Sequence, residues 1–322
     1  MTNLTNIGLA VIGPGAIAES HLDAFAEVGG VQAIWAVGRS ASRTSAFAQR
    51  WGIPESSTRI EDALGDERVQ VVLICSPNDL HAPQARASLE AGKHVIAEIP
   101  IGMSSAEAEE LVDLATTRER KLYACHTMRS FSGIRHMRDL IVSGMDSISQ
   151  VQGYFAIPRR NNEGFSGTRT WIDDLLWHHA CHLVDATLWI TASDVIDDVW
   201  LLEGDAHPDF GMTMDLTLAF TCVSSVTGQR VIASHALTYQ ASNLAWQMRF
   251  AGKHADYCFD TGRLTSSEAT GYVQEGSIRD LRAQNVQILD GLRTGKGTDF
   301  DARSVLPAMR ALDLLQQAGR PA

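Results

Sequence analysis

The first 125 residues alternate short apolar runs with helical patterns, and this alternation constrains the fold more than any other feature of the sequence. The apolar runs are NIGLAVIG, VQAIWAV, VQVVLIC, KHVIAE and KLYAC, separated by segments such as HLDAFAEV and SAEAEELVDLATT. Continuous apolar runs are typical of strands buried on both faces of a sheet, and alternation with helices indicates βαβ units. We therefore predict an α/β domain over residues 1–125, with a doubly wound parallel sheet.

The pattern changes after about Arg138. Longer alternating segments, ISQVQGYFAIP, MDLTLAFTC, RVIASHALTY and AWQMRFAG, follow one another without intervening helices, and helical patterns occur only near Trp171–Trp189 and at the end. This arrangement indicates an α+β domain with a large, mostly antiparallel open sheet. We predict that residues 126–322 form this second domain, which would bind the substrate and mediate dimerisation, with the last helix able to pack back on the first domain.

Composition excludes several partners. A net charge of −11 disfavours nucleic acid, which requires a concentrated basic face, and no apolar run is long enough to span a bilayer. The five cysteines are dispersed and form no CxxC pair, which suits a reducing compartment, so we predict a cytoplasmic protein with a small-molecule substrate. The exposed face of the predicted open sheet would be buried by association with a second copy of the chain, so we expect a homodimer.

A glycine turn follows the first apolar run. Its sequence, Gly13-Pro14-Gly15-Ala16-Ile17-Ala18, has the form GxGxxA and opens a helix. In such a turn the first glycine permits the tight bend, the second lets the backbone approach a pyrophosphate, and the helix N-terminus attracts the anion. The alternative is a glycine turn without a ligand, but the preceding strand and following helix favour a dinucleotide site in a Rossmann domain.

The end of the second apolar run indicates which dinucleotide is bound. NAD enzymes carry an acid here, whereas this chain has Gly38-Arg39-Ser40, with Arg43 one turn later. An Arg at this place can bind a 2′-phosphate, and no acid is present to repel that phosphate. We predict NADP, with a surface Arg at a helix start as the alternative.

Two later loops follow strands of the same predicted sheet. Ligands of open parallel sheets bind beyond the carboxyl ends of the strands, so these loops are expected to line the nicotinamide half of the site. The residues concerned are Ser76, Pro77, Asn78 and His81 in the first loop and Glu98 and Pro100 in the second. For His81, a helix cap is an equal alternative.

The segments GPGAIA, SPNDLH and GKHVIAEIP together resemble the Gfo/Idh/MocA oxidoreductase family, and the resemblance extends over essentially the whole chain. Family members usually have Glu-Lys-Pro where this chain has Glu98-Ile99-Pro100, and their Lys contacts the reacting hydroxyl. They also carry Asp-x-Gly-x-His where this chain has His178, Ala180 and His182. Both departures lie at the reacting centre, so an ordinary polyol substrate is disfavoured.

These departures resemble one branch of the family, the 4-carboxy-2-hydroxymuconate-6-semialdehyde dehydrogenases of protocatechuate 4,5-cleavage. The similarity lies in AEIP without Lys, CHTMRSF, PRRNNEGFSGTRTWIDDLLWHHACH and GMTMDL. It implies NADP-dependent oxidation of the cyclic hemiacetal of the semialdehyde to 2-pyrone-4,6-dicarboxylate. The alternatives are a sugar or polyol dehydrogenase of the same family and a non-catalytic NADP-binding sensor.

The segment DDLLWHHACHLVD carries the candidate catalytic residues. On an α-helix, Asp174, His178 and His182 would share one face, with His179 rotated by about 100°. A neutral imidazole is suited to remove the hemiacetal proton while hydride leaves for the nicotinamide. We predict His178 or His182 as the base and His179 as a helper, with Asp174 either orienting an imidazole or capping the helix.

The substrate's carboxylates call for cationic partners, since Arg offers bidentate geometry. The candidates are Arg129, Arg159, Arg160 and Arg169. Trp177 is either a core residue or a wall of the pocket. The His178-x-x-x-His182 spacing also occurs in zinc sites, but no Glu follows the first His and no thiolate pair is present, so we predict no metal.

Overall fold

The computed structural model describes residues 6–159, 163–164, 167–168, 174–267 and 281–319. The strands are β1 (Ile7–Ile12), β2 (Val31–Val37), β3 (Glu55–Ser57), β4 (Val71–Ile74), β5 (His94–Ala97), β6 (Leu122–Ala124), β7 (Ile148–Pro158), β8 (Glu163–Gly164), β9 (Gly167–Thr168), β10 (Ile196–Glu203), β11 (Asp215–Val223), β12 (Arg230–Thr238), β13 (Gln240–Gly252), β14 (Asp256–Asp260) and β15 (Arg263–Ser266). The α-helices are α1 (Ala16–Val28), α2 (Ala41–Trp51), α3 (Ile60–Leu64), α4 (His81–Glu90), α5 (Ser105–Thr117), α6 (Ser132–Val142), α7 (Cys181–Thr191), α8 (Arg282–Thr294) and α9 (Leu306–Gly319). Shorter turns of 3₁₀-helix span Asn78–Leu80, Thr127–Ser130 and Ala302–Val305, and a π-helical turn spans Leu175–Ala180. Within this described part of the chain, none of the helices combines the length and apolar character needed to cross a bilayer.

The first unit contains the predicted parallel sheet. Its six strands have the order β3-β2-β1-β4-β5-β6, and every pairing is parallel. All five apolar runs form strands, and β1 and β4 are buried along their whole length, as expected for central strands covered on both faces. The edge strand β3 was not predicted, because its three residues, Glu-Ser-Ser, carry no apolar signal.

The division of the chain differs from the prediction in one respect. The first unit ends at His126, one residue from the predicted boundary, but it also takes residues 279–306, which interrupt the second unit. The reason is hydrophobic burial: Ile288 and Leu289 of α8 lie in one core cluster with Ile7 and Leu9 of β1. The helix that packs in the first unit is therefore α8, whereas α9 lies in the second unit from Pro307 onward.

The second unit contains a seven-stranded sheet of order β10-β11-β12-β7-β13-β14-β15. Its pairings are antiparallel except between β12 and β7, so the predicted mostly antiparallel sheet is confirmed. Helix α7 contacts β7 and β12 from one face. The other face exposes large apolar side chains, including Trp200, Leu202 and Ile232, which are 70%, 70% and 53% exposed.

A buried carboxylate, that of Asp146, holds the turn that joins β13 and β14. Its Oδ1 accepts hydrogen bonds from the backbone N–H groups of Ser147, Lys253 and His254 at 2.7–3.1 Å, and its Oδ2 accepts from the Tyr257 hydroxyl at 2.9 Å. Burial acts to raise the pKa of this carboxyl, but the hydrogen bonds outweigh burial and lower the pKa. The ionised carboxylate therefore stabilises the folded second unit.

We expect Asp146→Asn to lower the free energy of unfolding by about 1–3 kcal/mol near neutral pH. The folded-state pKa lies below the unfolded value of about 3.9, so the contribution is present above that value and is lost as pH falls through the folded-state pKa. Urea unfolding from neutral pH down to about pH 3 should show the difference from wild type shrinking toward the acid end. Asp139→Asn, on the exposed surface of α6, is the control; a difference that stays constant with pH would contradict the assignment.

Candidate functional site

The glycine turn between β1 and α1 has the geometry that a pyrophosphate requires. Gly13 has φ of +84°, and a Cβ at this position would lie 2.5 Å from the backbone N of Ser76, so only glycine is accommodated. At Gly15, by contrast, a Cβ would meet nothing closer than the Gly13 carbonyl oxygen at 4.0 Å. The space above the N-terminus of α1, which begins at Ala16, is therefore open to a close approach.

The remaining residues of the turn also lie where the sequence predicts. Pro14 packs against Gly38, where a Cβ would come within 2.7 Å of the Pro14 Cδ. Ile17 is 39% exposed in the first turn of α1. Together with the open Gly15, this arrangement fits a dinucleotide phosphate bound by backbone N–H groups at the helix start.

Of the predicted phosphate-binding residues, Arg39 and Ser40 lie between β2 and α2, and Arg43 lies in the first turn of α2. Arg39 and Arg43 are exposed, and Ser40 stands at the N-cap of α2, where its Oγ lies 3.3 Å from the Oγ of Ser42. Two guanidinium groups at this end of β2 suit a 2′-phosphate.

His81 links the loops that follow β4 and β5. Its Nδ1 lies 2.7 Å from the carbonyl oxygen of Pro100, its Nε2 lies 2.7 Å from the carbonyl oxygen of Ser76, and the side chain is buried. The ring is thus neither exposed nor a helix cap, but fixes the two loops relative to each other. Pro77 precedes the 3₁₀ turn that begins at Asn78, a residue only 9% exposed.

Glu98, directly after β5, has a buried partner that sequence analysis missed. The Nε2 of His21 in α1 lies 2.7 Å from the Oε1 of Glu98, and its Nδ1 lies 3.1 Å from the Oδ1 of Asn285 in α8. His21 is fully buried on the otherwise apolar face of α1. A lone histidine on such a face was the available signal, but its partner Asn285 is too distant in sequence to be inferred.

His21, Glu98 and Cys125 are also the one group of described residues whose potential ligand atoms lie together, within 4.8 Å of one another. Burial, and then the negative charge of Glu98, raise the pKa of the Cys125 thiol well above its ordinary value. A protonated thiol is a poor metal ligand, and the His21–Glu98 hydrogen bond already uses two of the three groups.

The histidine segment does not begin as the regular α-helix that the sequence predicts. It opens with the π-helical turn, and α7 starts only at Cys181. Because a π-turn takes more residues than an α-turn, the expected alignment of Asp174, His178 and His182 on one face does not follow from their spacing. The Asp174 carboxylate instead accepts the Trp177 backbone N–H at 2.9 Å, which is the capping role left open above.

The three histidines have different surroundings. His179 is 8% exposed; its ring stacks on Phe155 with centroids 4.8 Å apart, and its Nδ1 lies 2.6 Å from the Tyr239 hydroxyl. The ring of His178 contacts that of His179, with centroids 4.3 Å apart. His182 lies beside Trp246 at 5.1 Å. His178 and His182 are only partly buried, unlike His179.

The predicted carboxylate-binding arginines separate into three groups. Arg129 is 2% exposed and forms a bidentate ion pair with Asp185, at 2.8 and 2.5 Å, so a protein carboxylate occupies the guanidinium that was expected to meet the substrate. Arg159 is buried, with its Cζ 5.2 Å above the Tyr239 ring, in the neighbourhood of His179. Arg160 and Arg169 lie outside the described residues.

Trp177 is fully buried within the second unit. This placement supports the core interpretation over a pocket wall. The packing of such a large ring helps to fix the start of the histidine segment.

Comparison with known proteins identifies both halves of the chain. Residues 7–126 match the model of the Gfo/Idh/MocA oxidoreductase family with an NAD-binding Rossmann fold, and residues 133–268 match that of the C-terminal domain of bacterial oxidoreductases. A similar relative is the 4-carboxy-2-hydroxymuconate-6-semialdehyde dehydrogenase of Sphingobium sp., 34% identical over 96% of this chain and 97% of that protein.

Solved structures share the fold at low identity. A protein of gentamicin A biosynthesis, solved in complex with NAD, has a TM-score of 0.82 at 16% identity, covering 99% of this chain and 95% of its own. Biliverdin reductase from Synechocystis sp., solved with biliverdin and NADP⁺, has a TM-score of 0.80 at 18% identity, covering 97% and 99%.

Proposed function

Since the chain belongs to the Gfo/Idh/MocA family of NAD(P)-dependent oxidoreductases, we propose that it oxidises the cyclic hemiacetal of 4-carboxy-2-hydroxymuconate-6-semialdehyde to the lactone 2-pyrone-4,6-dicarboxylate, with NADP. The observation that carries the proposal is the 34% identity, along nearly the whole chain, to a relative of that name. The site supports it, because Ile99, at the usual Lys position, is buried and three histidines lie in one segment.

The reaction requires removal of the hydroxyl proton and departure of hydride from the same carbon. A bound nicotinamide would accept the hydride. His178 or His182 takes the hydroxyl proton as a neutral imidazole, and Arg159 offers positive charge for a carboxylate. The glycine turn and the exposed Arg39 would hold the phosphates of the dinucleotide.

The direct test measures the formation of NADPH, by its absorbance, after purified protein is mixed with ring-cleaved protocatechuate and NADP. We expect turnover with this substrate and little with a panel of aldoses and inositols. Efficient turnover of the sugars instead would indicate a polyol dehydrogenase. Tight NADP binding without turnover of any of these compounds would favour a sensor.

We expect Arg39→Asp to shift the preference from NADP toward NAD by about 10- to 100-fold, because a charge-assisted contact to the 2′-phosphate is replaced by repulsion. The measurement is the ratio of kcat/KM for the two cofactors. Arg50→Asp, at the other end of α2, is the matched control and should leave the ratio unchanged. An unaltered ratio in Arg39→Asp would remove the phosphate role.

We also propose that the protein is a cytoplasmic homodimer that associates through the open face of the seven-stranded sheet. Leu202 of β10 and Tyr154 of β7 lie in one cross-strand row on this face, and Trp200 is exposed beside them. Sedimentation velocity should give a dimer, and the double substitution Trp200→Glu with Leu202→Glu should dissociate it. Met145→Glu changes a residue that is also exposed but lies outside the sheet, and it should leave the dimer intact. A wild-type monomer at micromolar concentration would contradict this proposal.

A further inference from the structure

Tyr239, between β12 and β13, is fully buried against the histidine segment. Its hydroxyl lies 2.6 Å from the Nδ1 of His179, and the two rings meet edge to face with centroids 5.3 Å apart. Phe155 stacks on the His179 ring at 4.8 Å. The orientation of this imidazole is therefore fixed by an aromatic contact and by a hydrogen bond.

The chemistry of the two partners decides the direction of that hydrogen bond. In a neutral imidazole one nitrogen donates and the other accepts. A phenol is the more acidic donor, and an imidazole nitrogen is the better acceptor, so the hydroxyl of Tyr239 donates to Nδ1. The guanidinium of Arg159 has its Cζ 5.2 Å above the phenol ring. This cation favours donation by the hydroxyl, because it stabilises negative charge on the phenol and so makes the hydroxyl a stronger donor.

A cation also lies beside the pair, and positive charge there opposes a second proton on His179. Among the described residues, the Arg159 guanidinium lies over the Tyr239 ring and the imidazole of His178 lies beside that of His179, with ring centroids 4.3 Å apart. The Asp174 carboxyl lies at the start of the π-turn. The Asp174 carboxylate is engaged as a helix cap. A proton added to His179 would meet the Arg159 cation, and any proton already on His178 would oppose it further.

We propose that Tyr239 is a positioning residue that holds His179 as the neutral tautomer with its proton on Nε2. In this tautomer His179 is a hydrogen-bond donor to an oxygen of the substrate and is not the general base, which leaves that role to His178 or His182. The donor role rests on the proposed function, whereas the tautomer does not.

The tautomer is measured without any turnover, by NMR of protein labelled with ¹⁵N-histidine. We expect one imidazole, identified by its loss in His179→Gln, to show the Nε2–H pattern, and Tyr239→Phe to convert it to a mixture of both tautomers. Tyr123→Phe is the matched control, because Tyr123 is also buried and its hydroxyl has no hydrogen-bond partner within the described ranges. A proton on Nδ1, or an unchanged pattern in Tyr239→Phe, would overturn the proposal.

Steady-state kinetics then tests what the tautomer does. We expect Tyr239→Phe to raise KM for the hemiacetal by about three- to tenfold, while kcat and the acid limb of its pH profile stay in place. His179→Gln retains an N–H near the position of Nε2 and should keep kcat within about threefold, since a donor is preserved. A fall of about 10²- to 10⁴-fold in that variant would make His179 the base and refute the donor role. If wild type does not oxidise the hemiacetal while the NMR result is as expected, the proposed function fails and the positioning by Tyr239 stands.

Discussion

Replacement of the base by alanine is expected to lower kcat by about 10²- to 10⁴-fold, and the two candidates are His178 and His182. The loss arises because the hydroxyl proton would have to pass to water while hydride leaves the same carbon. The partner histidine should show a smaller effect, about tenfold or less, from a lost hydrogen bond. Initial rates of NADPH formation with His178→Ala and His182→Ala, at saturating hemiacetal and NADP, decide between them.

The control is His254→Ala, which removes an exposed imidazole of the same unit whose backbone N–H, not its ring, binds Asp146. This variant should turn over like wild type. Thermal unfolding should show that all three variants are folded, so a loss of kcat reports on chemistry. If both His178→Ala and His182→Ala kept full activity, the general-base assignment would be wrong.

The parallel sheet could be predicted from sequence because its signal is local. The strand Val71–Ile74, for example, is apolar along its whole length, and burial on both faces of the sheet requires that composition. The assignment of α8 to the first unit depends instead on tertiary packing. Its apolar residues Ile288 and Leu289 would suit a core in either unit, and only the three-dimensional contacts with β1 decide.

The candidate site was predictable as a set of residue types but not as a geometry. The glycine turn follows from Gly13 and Gly15, because a tight bend with positive φ demands glycine. The Tyr239 hydroxyl and the Asn285 amide reach His179 and His21 across 60 and 264 residues of chain, and no spacing rule covers such distances. The predicted alignment of Asp174, His178 and His182 assumed 3.6 residues per turn, and the π-turn does not have this geometry.

The ion pair between Arg129 and Asp185 shows that a residue type alone does not identify the partners of a side chain. Because Arg129 follows a predicted strand, we expected it to bind a carboxylate of the substrate. In the structure the side chains of Arg129 and Asp185 are both buried, each 2% exposed or less. A buried charge without a counterion is unfavourable, so the guanidinium binds a protein carboxylate at 2.8 and 2.5 Å. The ion pair joins the 3₁₀ turn that ends at Ser130 to α7, the helix that continues the histidine segment.

We expect Asp185→Ala to lower the free energy of unfolding by about 3–5 kcal/mol, because it leaves the Arg129 charge buried without its carboxylate. Guanidinium chloride or thermal unfolding measures the loss. The matched control is Asp198→Ala, which breaks the ion pair with Arg230 on the surface, where the two side chains are 59% and 61% exposed and the expected loss is below about 1 kcal/mol. Replacing both partners, as Arg129→Met with Asp185→Leu, should recover much of the stability, since no unpaired charge remains. If Asp185→Ala and Asp198→Ala lowered the free energy of unfolding equally, burial would not be the reason why loss of the Arg129 pair is destabilising.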